Sequence, residues 1–97
     1  MIEIINQIFA LESKLIKTGS NDYTRNFDRI ASEFENLNYH VINPIGKPYR
    51  NEMTDVEASI SGDLNKNSKI TKVLKPIIYQ IDDNETKLVQ KGIVIVE

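Results

Sequence analysis

The chain has 97 residues, 40% apolar and 27% charged, with a net charge of −2 from 12 basic and 14 acidic side chains. That is room for one domain and not two, and too little positive field for broad phosphate-backbone binding. Cysteine is absent and histidine occurs once, which excludes disulfides, thiol nucleophiles and cysteine or His-cluster metal sites.

The chain opens on a helical stripe. Ile5, Ile8, Leu11, Leu15 and Ile16 recur at helical spacing, widened by Ile4 and Phe9. Lys14 and Lys17 fall in its last turn, where cations suit the helix dipole. Gly19 then reads as a C-terminal cap, and Ser20 or Asn21 as the N-cap of a second helix. That helix carries Tyr23, Phe27, Ile30, Ala31, Phe34 and Leu37 on one face, and Arg25, Asp28, Arg29, Glu33, Glu35 and Asn36 on the other. The short connection implies an antiparallel helical hairpin. Two helices alone cannot enclose such wide apolar stripes. Either they pack on the rest of the chain, or hairpins from two chains form a four-helix bundle.

After Asn38 the period changes. Val41-Ile42 is short and β-like, and Asn43 to Pro48 is a turn-rich connector. Val56, Ala58 and Ile60 alternate with Glu57, Ser59 and Ser61 as a half-buried strand. Gly62 to Ser68 is a polar loop. Ile70 to Ile81 is extended, with an edge or bulge at Pro76. Asp82 to Glu85 is a hairpin turn. Lys87 to Val96 is the last strand, and its Ile93 to Val96 run reads as buried on both faces. Helices followed by four or so strands predict an α+β fold, with a mainly antiparallel β part. The longest apolar runs are far short of the roughly 20 residues of a membrane span. The N-terminus carries Glu3 and no basic region, so it does not read as a signal peptide, and the expected location is cytoplasmic.

No constellation reads as catalytic. Asp82 and Asp83 belong to a turn, and Glu33 and Glu35 point to different sides of a helix. Glu52, Asp55 and Glu57 lack the dense oxygen pattern and turn glycine of a calcium loop. His40 has no triad signature around it. Gly19, Gly46, Gly62 and Gly92 are isolated and make no phosphate loop. Lys66, Lys69, Lys72 and Lys75 recur every third residue, a period that does not hold one face of a strand. Tyr23, Phe27 and Phe34 read as core packing and not as a base-stacking platform. The expectation is a binding protein: no catalytic residues, no cofactor, no metal, no nucleic acid and no membrane.

The stretch Asn43-Pro44-Ile45-Gly46-Lys47-Pro48-Tyr49 resembles the Asp-Pro-Leu-Gly-Glu-Pro-Phe turn of the GrpE family, the nucleotide exchange factors of DnaK-type chaperones. Neighbouring segments agree in order. Leu37 to Ile42 resembles the lead-in to that turn, Glu57-Ala58 the family's Glu-Ala pair, and Val73-Leu74-Lys75 its Val-Leu-Gln. Lys87 to Val96 is similar to its closing Arg-Val-Ile-Arg-Pro-Ala-Met-Val-Val-Val. Ile4 to Lys17 with Tyr23 to Leu37 resembles the preceding helical hairpin. There are departures. The family's Gly-Tyr is replaced within Lys75-Pro76-Ile77-Ile78-Tyr79, its Arg-Pro-Ala by Gln90-Lys91-Gly92, its Phe-Asp-Pro by Tyr49-Arg50-Asn51, and its long coiled-coil stalk is missing.

The resemblance implies a dimerisation hairpin over residues 1–38 and a chaperone-contacting β wing over 39–97. It implies a homodimer whose four-helix bundle uses Ile5, Ile8, Leu11, Leu15, Phe27, Ile30 and Phe34. It places the contacts to the chaperone's nucleotide-binding domain at Tyr49, Asn51, Val73, Leu74 and Lys87. The implied activity is to hold that domain's cleft open so that ADP leaves faster; the alternative is an interaction module that keeps the shape without exchange activity.

Overall fold

The structure, a computed structural model, describes residues 1–20 and 22–97. Two helices, α1 (Ile2–Lys17) and α2 (Thr24–Asn36), precede six strands: β1 (Tyr39–Ile42), β2 (Val56–Ile60), β3 (Ile70–Lys75), β4 (Ile77–Asp82), β5 (Glu85–Gln90) and β6 (Gly92–Val96). The architecture is α+β.

Helix α1 has Glu3 in its first turn and Lys14 and Lys17 in its last, each at the end where the helix dipole favours it. It stops where Gly19 adopts φ +75°, with the Gly19 and Ser20 amides donating to the Ile16 and Leu15 carbonyls. Helix α2 is shorter than its apolar stripe suggested. Tyr23 stands at its N-cap without a side-chain cap bond, and Leu37 at its C-cap. Of the two residues expected to cap it, Ser20 lies further upstream and Asn21 falls outside the described residues.

The strands form two three-stranded sheets, ordered β1-β4-β5 and β2-β6-β3. Both derive from one long hairpin. Strand β3 runs into β4 through Pro76, and β5 into β6 through Lys91. Asp83 and Asn84, at φ +47° and +68°, close the hairpin with two left-handed residues, as a twisted two-residue connection requires. Each half then recruits a third strand. β1 adds antiparallel to β4, and β2 adds parallel to β6 from Val56↔Gly92 to Ile60↔Val96.

Six strands therefore replace the four or so read from the sequence, because both arms of the hairpin break. Pro76 cannot donate to a ladder. Opposite it, Gly92 sits where a Cβ would stand 2.9 Å from Ile77 Cγ1 and 3.4 Å from Val56 Cγ1. The Gln90 side-chain amide closes the gap. It donates to the Pro76 carbonyl at 2.8 Å and exchanges two 2.8 Å hydrogen bonds with the Asn6 amide of α1.

Strand β3 overturns one expectation. Its partners skip from Ile70↔Val96 to Lys72↔Ile95 and from Val73↔Val94 to Lys75↔Ile93, leaving Thr71 and Leu74 as bulged residues. Each bulge adds one residue and turns the usual period of two into three. Ile70, Val73 and Pro76 are buried, while Lys69, Lys72 and Lys75 all remain exposed. A three-residue period does hold a side of this strand. The closing run also differs from expectation. Val94 and Val96 are fully buried, but Ile93 and Ile95, on the other face of the sheet, are only half-buried.

Two apolar clusters hold the fold. One joins Phe9 of α1 to Val56, Ile70, Val73, Ile77, Val94 and Val96. The other joins Ile5 and Phe34 of the two helices to Ile78 of β4. The helical hairpin thus packs on its own β strands, and the packing crosses the joint between residues 38 and 39. The molecule is a plate of 39 × 38 × 18 Å with a radius of gyration of 14.3 Å, against about 12.5 Å for a rounded domain of this length. So thin a body cannot cover every apolar side chain, and Ile4, Leu11, Ile16 and Leu74 among others stay exposed.

Candidate partner-binding surface

The connector after β1 is a tightly specified turn. Asn43 Oδ1 accepts from the Ile45 amide at 3.2 Å, and the Lys47 amide donates to the Pro44 carbonyl at 3.2 Å. Gly46, third in that turn, takes φ +79°, which a side chain would resist. Pro44 is fully buried. The turn is stitched to the start of β3. Gly46 donates to the Ile70 carbonyl at 2.8 Å, Ile70 to that of Lys47 at 2.9 Å, and Tyr49 to that of Ser68 at 3.0 Å. A proline-glycine-proline sequence therefore docks on the sheet with little freedom, and holds Tyr49 and its successors in a fixed place.

Beyond the turn lies a shallow hollow of about 280 Å³, lined by Tyr49, Arg50, Asn51, Glu52, Leu64 and Asn65. Tyr49 packs partly against the larger core. Asn51 is exposed. The loop forming the far wall is ordered by Ser68, which is itself buried; its Oγ accepts from the Asn65 amide at 3.0 Å. Tyr49 and Asn51 are thus brought together. Leu64, the one apolar residue between Ser61 and Lys69, completes the hollow; its isolation in a polar loop was the available signal.

The other expected contacts do not join them. Val73 points into the core with 8% of its surface exposed, so it presents almost nothing to a partner. Leu74, its neighbour, is bulged out and 50% exposed. Lys87 is exposed on β5, opposite Gln80, in the other sheet. His40 is the second residue of β1, and its Nδ1 lies 3.1 Å from Glu35 Oε1 at the end of α2.

No known family, no curated protein and no solved structure matches this chain. What the surface can do must come from its own chemistry. Among the described residues no three His, Asp or Glu side chains gather as a metal set. The hollow offers an aromatic face, an amide, a cation, a carboxylate and a leucine, which is a recognition inventory.

The helices contribute a second surface. Ile5 and Phe34 are committed to the chain's own core, while Ile8, Leu15, Phe27 and Ile30 are half-buried and Leu11 is 49% exposed. Between α1 and α2 lies an apolar groove of about 130 Å³, into which Glu12 intrudes beside Ile5, Ile8, Phe27 and Phe34. Burial, and secondarily the Asp28 carboxylate, raise the Glu12 carboxyl above its ordinary 4.5. A raised native pKa favours the protonated form. The resulting stabilisation is present below the unfolded value and is lost as pH rises through the native one. Glu12→Gln should therefore melt higher than the parent at neutral pH, and the gap should close as pH falls below 4.5. A gap that stays constant across thermal melts at several pH values would show that Glu12 is as well solvated as in the unfolded chain.

Proposed function

We propose that this chain acts by binding, as a GrpE-like adenine-nucleotide exchange factor on the nucleotide-binding domain of a DnaK-type chaperone. The observation that carries the reading is the Asn43–Tyr49 turn, locked to Ile70 and Ser68 and delivering Tyr49 and Asn51 to an open hollow. The order of a helical hairpin followed by a small β domain supports it. Apolar area left on α1 at Ile4, Ile8, Leu11 and Leu15, spaced four, three and four, supports a homodimer.

The work would be differential affinity. A protein that grips the open cleft more tightly than the closed one shifts the chaperone towards opening. ADP must then weaken that grip by the same factor. A thousandfold faster release needs about 4 kcal/mol of preferential stabilisation of the opening transition state. No bond is made or broken.

A second reading, an interaction module without exchange activity, is favoured by one observation. Val73 is buried and Lys87 lies in a different sheet from the Tyr49 hollow's β3 anchor, so the contacts inferred from resemblance are not a single patch.

Stopped-flow release of a fluorescent ADP analogue from a DnaK-type chaperone decides between them. The exchange reading expects acceleration of at least about tenfold with excess chain, reduced by Tyr49→Ala and Lys87→Ala. Binding without acceleration supports the module. Binding that survives both alanines places the contact elsewhere on the molecule.

A further inference from the structure

Strands β1, β5, β2 and β3 form the four sheet edges. Three are blunted. β3 is bulged at Thr71 and Leu74, carries Lys72 and Lys75, and is occupied at Ile70 by Gly46 and Lys47. β5 is bulged at Val89, where Ile78↔Gln90 is followed by Tyr79↔Leu88, and carries Lys87. β1 has four residues and packs beside α2. Bulges, lysines and cover are the usual defences of an exposed edge.

β2 has none of them. Its five residues pair with β6 in unbroken register, without bulge, proline or lysine. The Gly92 amide donates to the Asp55 carbonyl, and the Ser61 amide to that of Val96. In a parallel ladder, residues of that parity, Glu57 and Ser59, bond to the neighbour, and the alternate residues turn their groups away. Val56, Ala58 and Ile60 therefore aim their N–H and C=O groups outward, and no described residue outside the ladder bonds to them.

We infer that β2 accepts an extended, cationic segment of a partner protein as a seventh strand. The charge distribution names the occupant. On the solvent face Glu57 is exposed, and Glu52 and Asp63 stand in the segments before and after the strand. The basic residues Lys66, Lys69, Lys72 and Lys75 all belong to the opposite edge of the same sheet or the loop leading to it. A lysine or arginine of the added strand meets Glu57, and like-charged segments are disfavoured there. On the core face Val56 is buried and Ala58 half-buried, while Ile60 is 43% exposed. An aliphatic residue of the incoming strand covers Ile60 and extends the core. Alternating cationic and aliphatic residues are thus the recognised pattern, with backbone bonds supplying affinity. The inference rests on β2 alone and stands apart from the exchange reading.

The test uses the full chain and a synthetic fluorescein-labelled peptide, Thr-Val-Lys-Val-Lys-Val-Thr. Its binding is followed by fluorescence anisotropy and by amide hydrogen exchange. At a peptide concentration about a hundred times its Kd, exchange at the Val56, Ala58 and Ile60 amides should slow about a hundredfold. Ala58→Pro removes an outward N–H and no ladder bond, so it should fold and abolish binding. Should it fail to fold, Glu57→Lys serves instead and should weaken binding about two- to fivefold. A peptide N-methylated at alternate amides should not bind in one of its two registers. No binding at about 1 mM peptide, equal binding of both N-methylated registers, or full binding by a folded Ala58→Pro would overturn the inference. So would protection of these amides that grows with protein concentration without peptide, which would make a second copy the occupant.

Discussion

Phe9→Ala should lower the melting temperature by at least about 12 °C, the largest effect expected of any single truncation in α1. Phe9 is the α1 side chain that enters the cluster of Val56, Ile70, Val73, Ile77, Val94 and Val96. Truncating a buried phenylalanine costs about 3–5 kcal/mol, out of a total of about 5–15 for a domain. Each kcal/mol shifts the melting point by about 4–8 °C at this size. Leu11→Ala, two residues on and half-exposed, should cost under about 1 kcal/mol by comparison. A circular dichroism melt of the pair reads the difference. Equal, small shifts would mean that α1 does not sit on the sheets in solution, and that its apolar face is spent on something other than the chain's own core.

Gly92→Val should cost about 1–3 kcal/mol or more. The residue lies at the break in the long hairpin, where any Cβ would overlap Ile77 Cγ1 at 2.9 Å and sit in contact with Val56 Cγ1 and the Lys75 carbonyl at 3.4 and 3.5 Å. Val56 and Ile77 are both core residues, so neither can simply swing into solvent. Valine suits a strand better than glycine, and a small propensity gain opposes the clash; at 2.9 Å the clash wins. The clash also makes a specific claim about coupling. In the background of Ile77→Ala, which removes the colliding carbon, Gly92→Ala should become nearly neutral. Strict additivity in chemical denaturation would sever the link between the two positions.

The sequence carried the helices, the β2 strand and the Asp82–Glu85 turn, because each has a local cause: a 3.6-residue stripe, a two-residue alternation, and a pair of residues that tolerate positive φ. It also marked an irregularity at Pro76, though as an edge or bulge within one extended segment and not as the division between two sheets. The matching break at Lys91 is missed when Lys87 to Val96 reads as one strand; its single glycine, Gly92, marks the place where Ile77 approaches and the run divides. Strand β3 reads with the wrong period, because bulges at Thr71 and Leu74 leave no mark in residue type. Only the resemblance names Val73 and Leu74, and it is the bulge at Leu74 that turns one of them outward and leaves the other buried. The parallel pairing of β2 with β6 joins residues 36 apart in sequence, from Val56 to Gly92, and no pattern along the chain encodes it. The hollow beside Tyr49 was half legible. The turn announced itself, while its far wall depends on how Ser68 folds the loop back.

The central strand of one sheet, β6, is synthesised only after both of the strands it joins. Until it emerges, β2 and β3 lack the strand that joins them, and Phe9 has only part of its pocket. Helix α1 can settle Ile5 against Phe34 and Ile78 beforehand, but its Phe9 must wait for β6 to complete the larger cluster. Contacts of such long sequence separation place folding among the slower two-state topologies, on the scale of about milliseconds to seconds.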